Sequence, residues 1–112
     1  MKIQISLAAS IVAAALLGAA VPAQAQDVAA AEALAKKSNC MKCHSISAKK
    51  EGPSFKETAA KYKGKADAEA TLVKHLTTNP KIKVDGKEEE HDSLKTKNDA
   101  EVRNVVKWIL AQ

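Results

Sequence analysis

Residues 40–44 read Cys40-Met41-Lys42-Cys43-His44, and they contain the only two cysteines in the 112-residue chain. Two thiols with two residues between them, followed at once by a histidine, form the spacing of covalent c-type haem attachment. Each thiol adds across one vinyl group of the porphyrin, and the two-residue gap sets the sulfurs at the separation those groups need. The histidine is then held beneath the iron, where its imidazole serves as proximal ligand. On this reading Cys40 and Cys43 bind one haem c per chain and His44 ligates its iron. A redox-active Cys-x-x-Cys pair would need a thioredoxin-like βαβ context, and no such strand pattern precedes the motif. A zinc site would need two more ligands, and only His75 and His91 remain, distant and unpaired. A disulfide across two residues would be strained and would staple almost nothing.

The composition around the motif calls for such a group. Aromatic residues make up 3% of the chain, one each of Trp, Tyr and Phe. A domain this small needs more than side chains to fill its centre. A covalently attached porphyrin provides a large apolar plate for helices to wrap. Much of the 46% hydrophobic content is concentrated at the start of the chain. Lys2, the apolar run Leu7 to Leu17 and the small-x-small site Ala23-Gln24-Ala25 read as a cleaved signal peptide over residues 1–25. The apolar run is short for a membrane span. The expectation is a single domain over residues 26–112, exported to a bacterial periplasm without stable membrane insertion. The whole chain carries +5, interleaved with acid, which is too mild for a nucleic-acid binder. It suits docking to an acidic protein surface.

Hydrophobic spacing predicts helices and no sheet. Asp27 can cap a first helix carrying Val28, Ala31, Leu34 and Ala35 at helical spacing, which leads straight into Cys40. Gly52-Pro53 breaks the chain into a turn. A short helix around Thr58–Tyr62 follows, then a longer one around Asp67–Thr78 that buries Leu72, Val73 and Leu76, stopped by Asn79-Pro80. A last helix from Asn98, with Glu101 placed for a capping box, presents Val102, Val105, Val106 and Ile109 on one stripe.

In this order, Cys40–His44, Gly52-Pro53-Ser54-Phe55, Ala59–Gly64 and Val106-Lys107-Trp108-Ile109-Leu110 resemble a small monohaem class I cytochrome c of bacterial type. The resemblance implies an all-α fold of three to four helices wrapped around one covalent haem, with N- and C-terminal helices crossing beside it. It also implies that the Pro53 carbonyl accepts a hydrogen bond from His44, strengthening the proximal ligand.

One feature departs from that family, whose members place a distal Met in the loop before the last helix. Here the methionines are Met1, within the signal peptide, and Met41, between the thioether cysteines. His/Met ligation is therefore excluded by counting. His91, seven residues before Asn98, stands close to the missing Met and is the expected distal iron ligand. His75 is a competitor, better read as a surface or propionate-facing residue. An Asn, a Lys or an open, water-bound position remain as options. The segment from Pro80 to Lys97 reads as a long charged loop, with Glu88-Glu89-Glu90 running into His91. Those carboxylates would favour a protonated, unbound His91 and so a labile ligand.

The expected function is that of a periplasmic electron carrier, monomeric and not an enzyme. Losing the Met thioether should lower its potential relative to His/Met relatives. Lysines such as Lys36, Lys37, Lys42, Lys49 and Lys50 would steer it to redox partners with acidic docking surfaces. The alternative is a haem protein whose labile or open distal site binds small ligands such as NO or O2.

Overall fold

The computed structural model describes Gly18 and residues 26–112 of the chain, so all of the expected signal peptide but Gly18 lies outside the described residues. Four helices carry the fold: α1 (Val28–Lys37), α2 (Phe55–Tyr62), α3 (Ala68–Thr77) and α4 (Asp99–Leu110). A single 3-10 turn, Cys40–Lys42, follows α1, and two short strands, β1 (Lys81–Val84) and β2 (Lys87–Glu90), lie between α3 and α4. Among the described residues no helix is long and apolar enough to cross a membrane.

The N- and C-terminal helices pack together because α1 offers small residues there. Ala31 and Ala35 are fully buried, as are Val105 and Val106 on the facing stripe of α4. Asp27 starts α1 as the sequence suggests, its carboxylate accepting from the Ala30 amide at 2.9 Å. Its backbone is gripped from α4, where Asn104 accepts from the Asp27 N–H at 3.0 Å and donates to the Asp27 carbonyl at 2.8 Å. Around this crossing Phe55, Leu72, Leu76, Leu94, Trp108 and Ile109 complete the core. Phe55 meets Trp108 edge-on at 5.2 Å between centroids.

Three details differ from the sequence reading. First, α2 begins at Phe55, earlier than expected, because Ser54 and Glu57 form a capping box. The Glu57 amide donates to Ser54 Oγ at 3.1 Å and the Ser54 amide donates to Glu57 Oε2 at 2.8 Å. Second, the box expected at Asn98 is replaced by a relay. Asn98 Oδ1 accepts from the Ala100 and Glu101 amides, while the Asn98 amide donates to the Thr96 hydroxyl, which itself donates to Glu101.

Third, the charged segment is not structureless: β1 and β2 pair antiparallel, so the all-α expectation needs a small sheet added. The turn chemistry explains it. Asp85 and Gly86 both take positive φ, 49° and 77°, the two-residue turn whose twist matches paired strands. The register sets Lys81 opposite Glu90 and Lys83 opposite Glu88, and Lys81 forms a diagonal ion pair with Glu88 at 2.9 Å.

Candidate haem site

Leaving α1, the chain turns tightly through Asn39, whose φ of 61° reverses its direction. Backbone amides of Cys43 and His44 both donate to the Cys40 carbonyl, at 3.3 and 3.0 Å, which gathers the two sulfurs and the imidazole at one turn. Cys40 and Cys43 are not joined to each other in a disulfide. Burial pushes the Cys40 thiol up from its ordinary pKa, and a hydrogen bond to Glu51, at 3.3 Å, is the main cause of the same shift at Cys43. A redox-active pair needs a lowered thiol pKa, and these shifts run the other way. Among the described residues no three His, Cys, Asp or Glu side chains cluster to hold a metal ion.

His44 is held on three sides. Its Nδ1 donates to the Pro53 carbonyl at 2.7 Å, the bond implied by the resemblance, which leaves Nε2 as the nitrogen available for ligation. Its ring stacks on Phe55, 5.3 Å between centroids and 22° between planes. Gly52 closes the third side. A Cβ at that position would stand 2.6 Å from His44 Cε1 and 2.9 Å from Nδ1, so only glycine lets the backbone approach the ring. The Gly52 amide in turn donates to the Cys43 carbonyl at 2.8 Å.

The opposite wall comes from the other end of the chain. His91 follows β2 directly, and three hydrogen bonds anchor its neighbourhood to α3. The His91 amide donates to the Pro80 carbonyl at 2.8 Å, Asn79 Nδ2 donates to the His91 carbonyl at 3.0 Å, and the Leu94 amide donates to the Leu76 carbonyl at 2.9 Å. A fourth reaches the end of α1: the Lys95 amide donates to the hydroxyl of buried Ser38 at 2.9 Å.

Between these walls lies a cavity of about 530 Å³. Cys40, Cys43, His44, Pro53 and His91 all line it, together with Phe55, Leu72, Leu76, Ile82, Val84, Val105 and Ile109. Met41 is not among the lining residues and packs against the core. The centroids of His44 and His91 are 6.2 Å apart, with 51° between their planes. Two imidazoles that share one iron, each nitrogen about 2 Å from it, would hold their centroids about 6 Å apart. His91 Nδ1 is buried without a hydrogen-bond partner. Volume, apolar walls, paired thiols and opposed imidazoles all fit a haem.

Two features of the distal side bear on the expectations. Glu88, Glu89 and Glu90 are exposed on β2, with Glu89 and Glu90 at the cavity's edge, and none of the three contributes to the shift at His91. Burial and the neighbouring His44 push its pKa below the ordinary value, with only Asp92 opposing them. His75, expected at the surface or facing a propionate, lines the same cavity half-buried, its centroid 4.3 Å from that of His91. Its pKa is also lowered, first by burial and then by His91 and His44. Its helical spacing beside Leu72 and Leu76 was the available signal.

Comparison with known proteins agrees with this geometry. The cytochrome c family profile matches residues 28–112. Cytochrome c-551 of Pseudomonas aeruginosa is 36% identical over 72% of this chain and 75% of its own length. The crystal structure of the class 1 cytochrome MtoD from Sideroxydans lithotrophicus ES-1 is 49% identical, with a TM-score of 0.74 over 78% of this chain and 97% of that one. Cytochrome c552 of Nitrosomonas europaea is 32% identical, with a TM-score of 0.55 over 70% of this chain and 95% of its own. With the Cys-x-x-Cys-His turn and cavity already in place, the chain belongs to the cytochrome c family, has the class I fold and carries haem c covalently through Cys40 and Cys43.

Proposed function

We propose that this chain is an exported, bis-histidine electron carrier of lowered potential, with His44 as proximal and His91 as distal ligand. One observation carries the reading: the two imidazoles stand 6.2 Å apart across the cavity, on a chain with no methionine available to the distal side. When bound, the haem supplies a one-electron ferric/ferrous couple. The protein's part is to hold that couple still and dry. Pro53 keeps His44 in the tautomer that presents Nε2, and Phe55 with Gly52 fixes the ring. Leu72, Leu76, Val105 and Ile109 give the cavity apolar walls. A thioether ligand raises potential, so a second imidazole in its place lowers it. Export follows from the reading of residues 1–25 as a signal peptide. Partners with acidic surfaces would dock by way of exposed lysines on either side of the attachment turn, among them Lys36, Lys37, Lys42, Lys49 and Lys50.

The test is low-temperature EPR with near-infrared magnetic circular dichroism on the ferric holoprotein, wild type beside His91→Ala. A bis-imidazole signature in the wild type, replaced by a high-spin signal in the variant, is the expected result. A high-spin wild type, or a variant spectrum that does not change, would overturn it. The first of these would favour a site open to small ligands such as NO or O2.

A further inference from the structure

The distal side holds a second imidazole that ligation leaves unused. His75 projects from α3 into the same cavity, its ring centroid 4.3 Å from that of His91 with 51° between the planes. The two sides of the cavity differ in what fixes the ligand's ring. His44 has a hydrogen bond to Pro53 and a stacked neighbour in Phe55. An outer-nitrogen hydrogen bond of that kind normally orients a ligating histidine.

His91 has no counterpart, since its Nδ1 is buried without a partner. The bonds from Asn79 and to Pro80 anchor its backbone only. Rotation of an imidazole about its terminal torsion is soft, so backbone anchoring leaves the ring plane free. A ring packed against it at this distance supplies the missing restraint. The support is firm, because the α3 residues near His75 in sequence, Leu72 and Leu76, are both buried in the core.

We infer that His75 is the positioning residue of the distal site: its ring, seated on α3, sets the plane of the His91 imidazole and keeps it directed at the cavity. The inference rests on His91 being the distal ligand.

The experiment is ferric EPR and cyanide titration of the holoprotein as wild type, His75→Ala, His75→Phe and His91→Ala. In bis-imidazole ferric haem the largest g value depends on the angle between the two ligand planes. His75→Ala should stay low-spin, with that g value displaced and broadened. Its apparent affinity for added cyanide should rise about tenfold, as a loosely oriented ligand yields more easily. His75→Phe, which keeps a ring without the nitrogens, should restore wild-type values. If His75→Ala matches the wild type in both readouts while His91→Ala turns high-spin, the inference fails and the ligand assignment stands. If His75→Phe is displaced as far as His75→Ala, ring packing is not the restraint and the inference also fails. If His75→Ala is high-spin and His91→Ala is not, His75 is itself the ligand and both readings fall.

Discussion

His44 takes its position from near neighbours in sequence. The turn at Cys40, the Gly52 approach, the Pro53 carbonyl and the Phe55 ring all lie within residues 40–55. His91 takes its position from distant ones. Asn79, Pro80 and Leu76 hold the backbone around it from the end of α3, Ser38 reaches over from the end of α1, and His75 meets its ring. One wall of the cavity is therefore set mainly by contacts within a short stretch of chain. The other exists only once the helices have packed. Losing a covalent or ligating group from the local site should abolish it, whereas a site with several distant tethers should degrade in steps.

The sharpest way to break that contrast is to remove a proximal group. Cys43→Ser or His44→Ala should abolish holoprotein formation and leave a largely unfolded chain, since the porphyrin supplies the core that three aromatic residues cannot. Far-ultraviolet circular dichroism and the Soret absorbance of the purified variant are the readouts. A folded, helical apoprotein would contradict the idea that the haem completes the core.

Gly52→Ala comes next. The added methyl would stand 2.6 Å from the His44 ring, and one atom or the other must move. Overpacking of this kind costs about 1–3 kcal/mol, and the strain falls on the bond between His44 and Pro53. The variant should fold with haem but melt lower, by about 4–8 °C for each kcal/mol in a domain of this size. Its potential should also shift, as the hydrogen bond that strengthens the proximal ligand lengthens. An unaltered melting point would mean that the ring has more room than the geometry allows.

Asn79→Ala probes a distal tether. Asn79 adopts φ of 48°, a left-handed conformation that asparagine tolerates and alanine resists, and its amide holds the His91 carbonyl at 3.0 Å. Losing both should cost about 2 kcal/mol. On heating, the low-spin signature should disappear before the helical signal does, because the ligand is released ahead of the fold. Simultaneous loss of the two signals would show that the distal wall is as tightly coupled to the core as the proximal one.

The same contrast governs what could be read from the sequence. The proximal site was legible almost completely, because covalent chemistry demands a fixed spacing and Gly-Pro marks the turn that follows. The closing helix was legible from the spacing of Val102, Val105, Val106 and Ile109, all of which are buried. The hairpin was hidden because its strands are built from Lys and Glu, residues whose pattern reads as a solvated loop. Its only strong local signal was Asp85-Gly86, and that is turn chemistry rather than hydrophobic alternation. The start of α2 was missed for a similar reason, since Ser54 and Glu57 are spaced as a capping box but stand behind a Gly-Pro break. His75 could be placed on the Leu72/Leu76 side of a helix, but its neighbour across the cavity depends on how α3 meets a segment well along the chain.

The smallest expected effect tests whether the hairpin belongs to the distal wall or merely hangs from it. Ile82 and Val84 of β1 and Glu89 and Glu90 of β2 line the cavity, yet β2 is exposed along its whole length. Gly86 sits at φ of 77° with open space where a side chain would stand, so Gly86→Ala changes backbone strain and no contact. Alanine in that conformation costs about 1 kcal/mol, equivalent to a roughly fivefold shift in the equilibrium for opening the turn. Amide hydrogen exchange of residues 81–90 should therefore quicken about fivefold, while the amides of α1 and α4 keep their protection. The low-spin spectrum should be unchanged, because the bonds from Asn79 and to Pro80 hold His91 below the point where the hairpin opens. If the ligand signature weakens along with the hairpin, the two strands are part of what holds His91, and the distal tethers extend to the turn at Asp85-Gly86.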